Sequence, residues 1–475
     1  MSTSIEPKLP ISSGRHALVI GGSLAGLLAA RVLTDYFDWV TVVERDRFPD
    51  QPAPRQGVPQ SKHVHLLLTR GQRILEELFP GLEVELMAAG APTIDWIADW
   101  SMLGVWGWEP RFPSKLIGRT CSRNLLEWLI RRRLADKNNL EFLEETQVTQ
   151  LLTDSNKSRV TGVRLHSRKE AEKAKTSSSG ELAAELVVDA SGRNSSMPKW
   201  LASLGYQPPC ETVVDSFMGY ASRWYQLKES REIDWRGLTV MYKPPDMPRG
   251  GILYPVEGNR CVVTLAGVCR DYPPTDEVGF LEFARTLRSP ILYEVLLEAQ
   301  PISPIYGYRG TENRLRHYKN LSKLLEGLVV MGDAVCAFNP VYGQGMTVAA
   351  LGALTLDECL HQQLKNSNSS LMGLTQRFQK RLAGVYSTPW LMATGEDFRW
   401  NTTTGGQPDT MTRFMQRYVD QVLRLSVDRP KVYQTFEEVV HMLKSPKALF
   451  SPSILAQVLL QVISGIFNNH SRMKT

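Results

Sequence analysis

The stretch from Ala17 to Asp46, ALVIGGSLAGLLAARVLTDYFDWVTVVERD, decides the fold of this chain. An apolar run over residues 17–20 meets a glycine-rich turn, which is followed by leucine and alanine at helical spacing and then by a second β-branched run that ends at Glu44. Short apolar runs flanking a helical pattern predict a βαβ unit.

The turn Gly21-Gly22-Ser23-Leu24-Ala25-Gly26 is typical of a dinucleotide site. The first glycine permits a tight turn, the last lets the helix pack close to the strand, and the helix N-terminus presents free N–H groups to a pyrophosphate. Glu44 follows Gly26 by 18 residues, which places an acid at the tip of the second strand for an adenosine ribose. Ser23 stands where a second glycine is expected, and it is small enough to let the backbone approach phosphate. Such turns also occur without a nucleotide, so other motifs must support the prediction.

The same turn has the form G-x-S-x-small, the nucleophile elbow of hydrolases, with Ser23 as the nucleophile. An elbow needs earlier strands and an oxyanion loop, whereas a single predicted strand precedes Ser23. The sequence therefore excludes a hydrolase of this type.

Composition bounds the class of protein. With 475 residues, 43% of them hydrophobic, the chain is long enough for two or more domains. A net charge of +6, spread along the chain, predicts no nucleic-acid partner. The six cysteines show no metal-site spacing, which favours reduced thiols, a cytoplasmic protein and no metal. The N-terminus lacks the pattern of a signal peptide, and no window is apolar enough to span a bilayer.

Several segments carry candidate functional residues. The irregular stretch after Glu44 holds Arg55, Gln60, His63 and His65, and loops beside a cofactor site often concentrate such side chains. The two histidines share a face if the chain is extended there. An active-site role and a structural, hydrogen-bonded role both stay open for them, and no third metal ligand is near.

Four tryptophans follow within a short segment, at 96, 100, 106 and 108, and predict an apolar wall that belongs to the core or to a substrate pocket.

A helix is predicted over 121–134 with Ser122 as its N-cap. Arg123 lies in its first turn, where a cation is disfavoured by the helix dipole, so a contact with phosphate would explain it.

The sequence pattern changes in the second half of the chain, where predicted strands bounded by turns become frequent. Strands predicted over 219–226, 238–242, 251–255 and 260–267 indicate an antiparallel sheet in a separate lobe. A buried strand over 328–331 leads to Gly332-Asp333, an irregular loop, and a helix opened by Gly343-x-Gly345, a second site able to hold negative charge. The last hundred or so residues are predicted to be helical, with proline breaks at 389, 430, 446 and 452. The segment 454–467 is predicted to be an amphipathic helix that packs on the body, and contact with a membrane surface is the second interpretation.

Three motifs in this order give the chain a family resemblance: the GGSLAG turn with Glu44, the D-x-x-G element at 189–192, and GDAVCAFNPVYGQGM at 332–346. The chain resembles the flavin-dependent monooxygenases of the para-hydroxybenzoate hydroxylase type, and within them the flavin epoxidases of polyether biosynthesis. The resemblance covers residues 15 to about 360.

The string WGWEP at 106–110 is similar to the W-x-W-x-I-P signature of flavin-dependent halogenases, but its spacing and position differ and it lacks the isoleucine, so no halogenase is predicted.

The resemblance implies an α/β fold: a Rossmann-like FAD-binding domain of the GR2 type, an antiparallel-sheet substrate lobe and C-terminal helices. The implied FAD-binding domain is discontinuous, over 15–75, 111–200 and 326–365. The substrate lobe takes 76–110 and 201–325, and the helical region takes 366–475.

The resemblance also implies roles for individual residues. The implied cofactor is FAD. Its implied contacts are Gly21, Gly22, Ser23, Ala25, Gly26 and Arg123 at the pyrophosphate, Glu44 at the ribose, Val148 at the adenine, Asp333 at the ribityl chain, Pro340, Gly343, Gly345 and Met346 along the isoalloxazine, with Arg45, Arg55, Asp189 and Gly332 completing the set. Arg55–His65 matches the family segment RxGVPQxxHxH, so Gln60, His63 and His65 are expected near the reacting atoms. The expected substrate pocket is lined by Trp96, Trp106, Trp108, Tyr220 and Tyr254.

The implied activity is insertion of one atom of molecular oxygen into an apolar alkene or aromatic substrate, in specialised metabolism, with the flavin rather than a side chain carrying the chemistry. Many aromatic hydroxylases have histidine three residues after the Gly-Asp aspartate. Cys336 stands there, which argues against phenol hydroxylation more than against oxygen transfer in general. No second glycine-rich βαβ unit is present, so NAD(P)H acts transiently or through a separate flavin reductase. A prenyl reductase, a non-redox flavin cyclase and a flavin-binding scaffold without enzymatic activity stay open as alternatives, although a scaffold would not explain the large apolar lobe.

Overall fold

The computed structural model describes residues 14–167, 179–227, 233–366 and 370–472. The strands are β1 His16–Ile20, β2 Trp39–Val43, β3 Thr93–Asp95, β4 Trp100–Leu103, β5 Ile117–Arg119, β6 Leu140–Leu143, β7 Thr146–Thr153, β8 Val160–Ser167, β9 Ser179–Ala183, β10 Leu186–Asp189, β11 Glu211–Val214, β12 Gly219–Gln226, β13 Gly237–Val240, β14 Arg249–Val256, β15 Arg260–Gly267, β16 Gln300–Pro301, β17 Tyr306–Tyr308, β18 Asn313–Arg316, β19 Leu328–Val330 and β20 Cys336–Ala337. The helices are α1 Leu24–Leu33, α2 Thr69–Leu78, α3 Leu82–Ala88, α4 Arg123–Ala135, α5 Met197–Ser203, α6 Glu277–Arg285, α7 Ile291–Glu298, α8 Gly345–Asn366, α9 Leu374–Asp397, α10 Thr410–Ser426, α11 Pro430–Val440 and α12 Pro452–Arg472.

A parallel sheet of five strands, in the order β19-β10-β1-β2-β6, forms the centre of the first layer. Its strands are short. Four of them, β1, β2, β10 and β19, are almost entirely buried, as expected for a parallel sheet covered by helices, whereas the edge strand β6 is only half-buried. The predicted βαβ unit is confirmed by β1, α1 and β2. Because β10 and β19 continue the sheet on the other side of β1, the ends of all three glycine-containing motifs meet at one edge.

A second, mostly antiparallel sheet follows the order β16-β12-β15-β14-β13-β4, with β17 also paired to β12. The predicted strands are confirmed, and β14 and β15 are joined by the predicted hairpin, in which Gly258 has a φ of +74°. Ala221, Tyr225 and Leu265 on one face of the sheet pack against α6 and α7. The opposite face carries Tyr220, Ser222 and Tyr254 and lies toward the first layer.

The end of the described chain is helical, as predicted, but one of the predicted proline breaks is wrong. Pro430 and Pro452 are the first residues of α11 and α12, where a missing N–H costs nothing. Pro446 begins a short 3-10 turn. Pro389 does not break a helix but lies buried inside α9, whose side chains pack against α8 and β19. Tertiary packing over 24 residues therefore outweighs the local preference of one proline.

The predicted fold class is confirmed: a Rossmann-like parallel sheet, an antiparallel sheet and C-terminal helices. The five parallel strands all come from the segments predicted for the FAD-binding domain, and the strands of the second sheet come from those predicted for the substrate lobe. The domain boundaries themselves stay a prediction.

Across the described ranges, no helix combines the length and the apolar character needed to cross a membrane.

Candidate cofactor-binding site

The three glycine-containing motifs touch one another at the carboxyl edge of the parallel sheet. Gly21 has a φ of +99°, and a Cβ placed on it would lie 2.7 Å from the carbonyl oxygen of Ala190, in the D-x-x-G turn. A Cβ on Gly332 would lie 2.8 Å from the Cβ of Ala25. Side chains at these glycines would force the motifs apart, so glycine allows them to converge on one site.

Gly26 confirms the expected close packing of helix and strand. A Cβ there would lie 1.8 Å from the carbonyl oxygen of Gly21 and 3.3 Å from Val19 Cγ1. Helix α1 therefore begins directly over the end of β1. Its N-terminus carries no acidic residue in the first turn, and its N-cap, Ser23, makes no capping bond with its side chain. These are features of an anion-binding helix end.

The Ser23 hydroxyl is instead held by α4. It donates to Glu127 Oε2 at 3.0 Å and accepts from Arg123 Nη2 at 2.8 Å. Arg123 is 7% exposed and also pairs with Glu127 at 2.8 Å. The predicted N-cap of α4 is present, because Ser122 Oγ accepts from the N–H of Leu125. The structure thus places Arg123 at the first turn of α1, in the position suited to a phosphate.

Arg55 completes this charged group from the loop after β2. Its guanidinium lies 3.0 Å from Glu44 Oε2, 3.2 Å from Asp46 Oδ2 and 2.9 Å from Glu127 Oε1. Burial raises the pKa of Glu127, but the charges of Arg123 and Arg55 outweigh it and hold that pKa below its usual value. A cleft opens beside these groups, lined by Phe48, Val58 and Trp128 as well as by the arginines.

Glu44 lies at the end of β2 as predicted, and it is 6% exposed. Its Oε2 accepts from the N–H of Gly22 at 2.8 Å, so it is tied to the glycine turn. Strand β7 begins beside it, since the N–H of Thr146 donates to the Glu44 carbonyl at 3.0 Å, and this brings buried Val148 to the same end of the sheet. Arg45 points to the exposed surface.

Asp189 and Asp333 differ in their surroundings. Asp189 is fully buried and accepts from Ser191 and from Ser195, so its carboxylate is used within its own turn. Asp333 is partly exposed and, within the described residues, its carboxylate forms no hydrogen bond or ion pair. Burial raises the pKa of Asp333, and the charges of Arg193 and Arg123 lower it. Asp333 is therefore available to hydroxyl groups of a ligand.

The loop after Asp333 ends at a second free helix N-terminus. Gly343 has a φ of +65° and Gly345 opens α8, which has no acidic residue in its first turn. Gln344 Oε1 and Thr347 Oγ1 are buried there, and neither has a hydrogen-bond partner among the described residues. Buried polar atoms are normally paired, so this loop is suited to a polar ligand. Pro340 and Met346 flank it, in a 3-10 turn and in the first turn of α8.

The predicted histidines lie between the two sheets. His63 is 5% exposed, and its ring centroid lies 4.9 Å from that of Tyr220 and 5.6 Å from that of Tyr308. Its Nδ1 is 2.8 Å from Ser222 Oγ, which is 2.6 Å from Thr264 Oγ1. Burial lowers the pKa of His63 to about 3, so this ring is neutral at physiological pH.

His65 points away from that group. Its Nδ1 lies 3.1 Å from the carbonyl oxygen of His63, and burial together with the charge of Arg123 lowers its pKa to about 4. Gln60 lies in the 3-10 turn Pro59–Lys62, which precedes both histidines, and it is partly exposed. In the described part of the chain, no cluster of three or more His, Cys, Asp or Glu side chains could hold a metal ion.

The four tryptophans do not form one wall. Trp96 and Trp100 are buried together, with ring centroids 5.2 Å apart, and share a cluster with Tyr254. The chain then reverses, since the N–H of Gly104 donates to the carbonyl of Gly107. This turn carries Trp106 toward α10, where Arg424 lies 3.8 Å from its ring, and leaves Trp108 43% exposed.

Four residues of the site were not singled out in the sequence. Glu127 holds both arginines, Arg193 donates to the carbonyls of Glu312 and Phe338, Tyr308 stacks on Tyr220, and Asp397 accepts from Tyr342. Arg193 directly follows the D-x-x-G element, which is a signal that could have found it. Nothing local marks the other three.

One curated relative is similar over nearly the whole chain. Protein Rv3254 of Mycobacterium tuberculosis (strain ATCC 25618 / H37Rv) is 32% identical over 449 residues, which cover 94% of this chain and 93% of that protein. No protein-family model matches the chain.

Solved structures with the same fold include flavin enzymes. A triple mutant of the flavin-dependent brominase Bmp2 aligns with a TM-score of 0.64 at 14% identity, over 95% of this chain and 99% of that one. PqsL, a probable FAD-dependent monooxygenase from Pseudomonas aeruginosa, aligns with a TM-score of 0.61 at 17% identity, over 81% of this chain and 96% of that one. At these identities the likeness establishes the fold.

Proposed function

Because this chain belongs to the same family as Protein Rv3254 of Mycobacterium tuberculosis and has the fold of flavin-dependent monooxygenases and halogenases, we propose that it is an FAD-dependent monooxygenase. The proposed reaction inserts one oxygen atom from O2 into an apolar alkene or aromatic substrate, by epoxidation or hydroxylation, in specialised metabolism. The sequence resemblance to flavin epoxidases of polyether biosynthesis makes alkenes the first substrates to test.

The observation that carries the proposal is the convergence of the glycine-containing motifs. Had Gly21–Gly26 and Gly332–Met346 lain on opposite sides of the molecule, no shared ligand could join them. Instead Gly332 abuts Ala25 and Gly21 abuts Ala190. Two helix N-termini, those of α1 and α8, therefore serve one site, which suits a ligand with negative charge at two places along its length.

The residues present fit FAD. The first turn of α1 with Arg123 and Arg55 would hold the pyrophosphate, and Glu44 the adenosine ribose. Asp333, whose carboxylate has no partner in the described structure, would accept from ribityl hydroxyls. The Gln344 and Thr347 side-chain oxygens, which have no partner in the part of the chain that the structure describes, lie at the start of α8, where the isoalloxazine would lie.

FAD, when bound, supplies the activation of O2 and the transfer of one oxygen atom. The chain orients the cofactor and the substrate, sets the electrostatic environment and excludes water. The N-terminus of α8 would favour negative charge on a ring system bound beside it, an effect of up to about 2 kcal/mol in a partly buried setting. His63, which is neutral and packs against the stacked rings of Tyr220 and Tyr308, excludes water beside the site.

The substrate is proposed to bind between the two sheets. Tyr220, Ser222 and Thr264 on the second sheet face the loop that carries His63, and Tyr254 with Trp96 closes the far end. Three of these five side chains are aromatic and two carry a small hydroxyl group, which suits a mainly apolar substrate. Trp106 and Trp108 lie at the turn after β4, so their part in the pocket stays a prediction.

The first experiment asks whether the purified protein carries flavin. We expect a yellow protein whose denaturation releases FAD, identified by chromatography against FAD and FMN standards. A correctly folded, colourless protein that binds no added FAD would overturn the proposal.

The second experiment identifies the reaction. NAD(P)H oxidation is followed with a panel of apolar polyenes and aromatics, with and without an added flavin reductase, and products are analysed by mass. One added oxygen atom supports a monooxygenase. Two added hydrogens under anaerobic turnover identify a prenyl reductase, and an isomer of unchanged mass identifies a non-redox cyclase. The arm without reductase tests direct use of NAD(P)H.

The cytoplasmic location stays a prediction from the sequence.

Cys336, the residue that departs from the hydroxylase pattern, is 2% exposed in β20, and burial raises the pKa of its thiol well above the usual value. It therefore offers no thiolate at neutral pH. This is consistent with oxygen transfer that needs no side-chain nucleophile.

A further inference from the structure

The C-terminal end of α9 carries a carboxylate that is buried without a cation. Asp397 is 1% exposed, and within the described residues no arginine, lysine or histidine forms an ion pair with it. Arg399, the nearest arginine in sequence, instead pairs with Glu396 and Asp420, at 2.9 Å in each case. A buried carboxylate in such a place needs hydrogen-bond donors.

Four side chains supply those donors. Asp397 Oδ1 accepts from the Tyr342 hydroxyl at 2.7 Å, from Ser216 Oγ at 3.0 Å and from Asn339 Nδ2 at 3.4 Å. Its Oδ2 accepts from Asn313 Nδ2 at 2.6 Å. Burial raises the pKa of Asp397 to about 7, and the bonds from Tyr342, Ser216 and Asn339 oppose that rise.

Two of the donors belong to the loop between Asp333 and α8. Asn339 begins the turn before Gly343: its backbone N–H donates to Asn313 Oδ1 at 2.8 Å, and its side chain accepts from the N–H of Val341. Tyr342 immediately precedes Gly343, at which the backbone takes its left-handed conformation. The path of the loop is thus fixed at both of these residues by Asp397 or by its partner Asn313.

We infer that Asp397 is a positioning residue, which holds the loop at 339–346 in the shape that receives the isoalloxazine ring of the cofactor. The inference rests on the proposed function. It makes the C-terminal helical region part of the cofactor site, although that region lies beyond the residues that carry the family motifs. The carboxylate acts through Tyr342 and Asn339 and does not itself touch the substrate.

Asp397→Asn tests the inference. The amide has the same size, but its NH2 group would face one of the four donors, so the loop loses at least one anchor. We expect the apoprotein variant to bind FAD about tenfold more weakly than the wild type, and its bound flavin to lose the fine structure of its visible absorption band. The band shape reports the surroundings of the ring, which a change confined to the protein core would not alter.

Tyr342→Phe removes one of these bonds without touching the buried carboxylate, so it keeps the inference testable if Asp397→Asn fails to fold. We expect the same spectral change. The double variant is expected to bind FAD no more weakly than the weaker single variant, because both changes break one network.

Asp428→Asn, on an exposed aspartate, is the matched control and should bind FAD like the wild type. If the wild type binds FAD and both Asp397→Asn and Tyr342→Phe bind it with unchanged affinity and band shape, the inference is wrong while the proposed function stands. If the wild type binds no flavin, the proposed function itself fails.

Discussion

Gly26, in the first turn of α1, has no space for a side chain. The carbonyl oxygen of Gly21 occupies the place that a Cβ on Gly26 would take. Since backbone rather than a flexible side chain is in the way, α1 would have to move off β1 to admit even a methyl group. Such a shift would also move the N–H groups that face the proposed pyrophosphate.

We therefore predict that Gly26→Ala lowers FAD affinity at least tenfold, and that Gly26→Trp abolishes flavin retention. Bound flavin per protein, measured by absorbance after gel filtration, checks both. Gly384→Ala is the control: Gly384 is a helical glycine in α9 with open space around it, and alanine there should be neutral or stabilise the protein by up to about 1 kcal/mol. Equal flavin content in Gly26→Ala and Gly384→Ala would contradict the close packing.

Arg123 permits a second prediction at this scale. Its guanidinium is buried and lies between Ser23 and Glu127, so Arg123→Gln removes a positive charge at the first turn of α1. Charge-assisted hydrogen bonds contribute about 1.5–3 kcal/mol, which corresponds to FAD binding weakened about tenfold to hundredfold. Titration of the apoprotein measures this. Arg132→Gln, on the exposed face of the same helix, should leave the dissociation constant unchanged.

At the scale of elements, the N-terminus of α8 is the feature most directly tied to the proposed position of the isoalloxazine ring. Helix α8 begins at Gly345 without an acid in its first turn, although helices commonly place one there. Met346, half-buried in that turn, offers a position to add a charge.

We predict that Met346→Glu makes the two-electron midpoint potential of the bound flavin more negative by about 30 mV, equivalent to about 1.4 kcal/mol, because a nearby carboxylate disfavours the electron-rich reduced ring. Redox titration against reference dyes measures it. Met346→Gln, of the same shape but uncharged, controls for packing. An equal potential in both variants would show that this helix end does not face the ring.

Elements could be predicted where their signal is local. The strands and the turn of the βαβ unit follow from apolar runs and glycine spacing within thirty residues, and the β14–β15 hairpin from Glu257-Gly258-Asn259. Partnerships between distant residues could not. Ser23 and Glu127 are 104 residues apart, Arg193 and Glu312 are 119 apart, and Tyr342 and Asp397 are 55 apart. The reversal at Gly104–Gly107, which separates the tryptophans, depends on a turn without a strong sequence signature.

At the scale of the whole molecule, buried carboxyl groups lie where the C-terminal helices meet the second sheet. Glu109, beyond β4, and Glu437, on α11, are 8% and 6% exposed. Burial raises the pKa of Glu109 to about 7, and burial together with the charge of Glu109 raises that of Glu437 to about 8. His441 Nε2 lies 3.8 Å from Glu437, and burial lowers the pKa of His441 to about 3, so it provides no positive charge.

A pH-dependent loss of stability follows for Glu437. Between its unfolded pKa of about 4.3 and its folded pKa of about 8, the folded state holds a proton that the unfolded state has released. The free energy of unfolding therefore falls as pH rises through this window, by up to about 1.4 kcal/mol per pH unit for this group.

We predict that Glu437→Gln, which copies the protonated side chain, equals the wild type near pH 4 and is more stable at pH 8 by about 2 kcal/mol or more. Thermal unfolding across this pH range measures the difference. Glu438→Gln removes the ion pair with Lys444 nearer the surface and leaves an amide oxygen that can still accept from Gln434, so it should change stability by less than about 1 kcal/mol at either pH. A pH-independent difference for Glu437→Gln would contradict the assignment.

The order of strands in the parallel sheet determines when, during translation, this protein can take up its ligand. Strand β19 pairs with β10 and is followed by the loop at 332–346, so neither exists until the ribosome has made most of the polypeptide. The nascent N-terminal half contains β1, α1 and β2 but lacks the opposite wall of the cleft. We expect loading with flavin to be a late event, and prematurely terminated products to be colourless even where their first strands have folded.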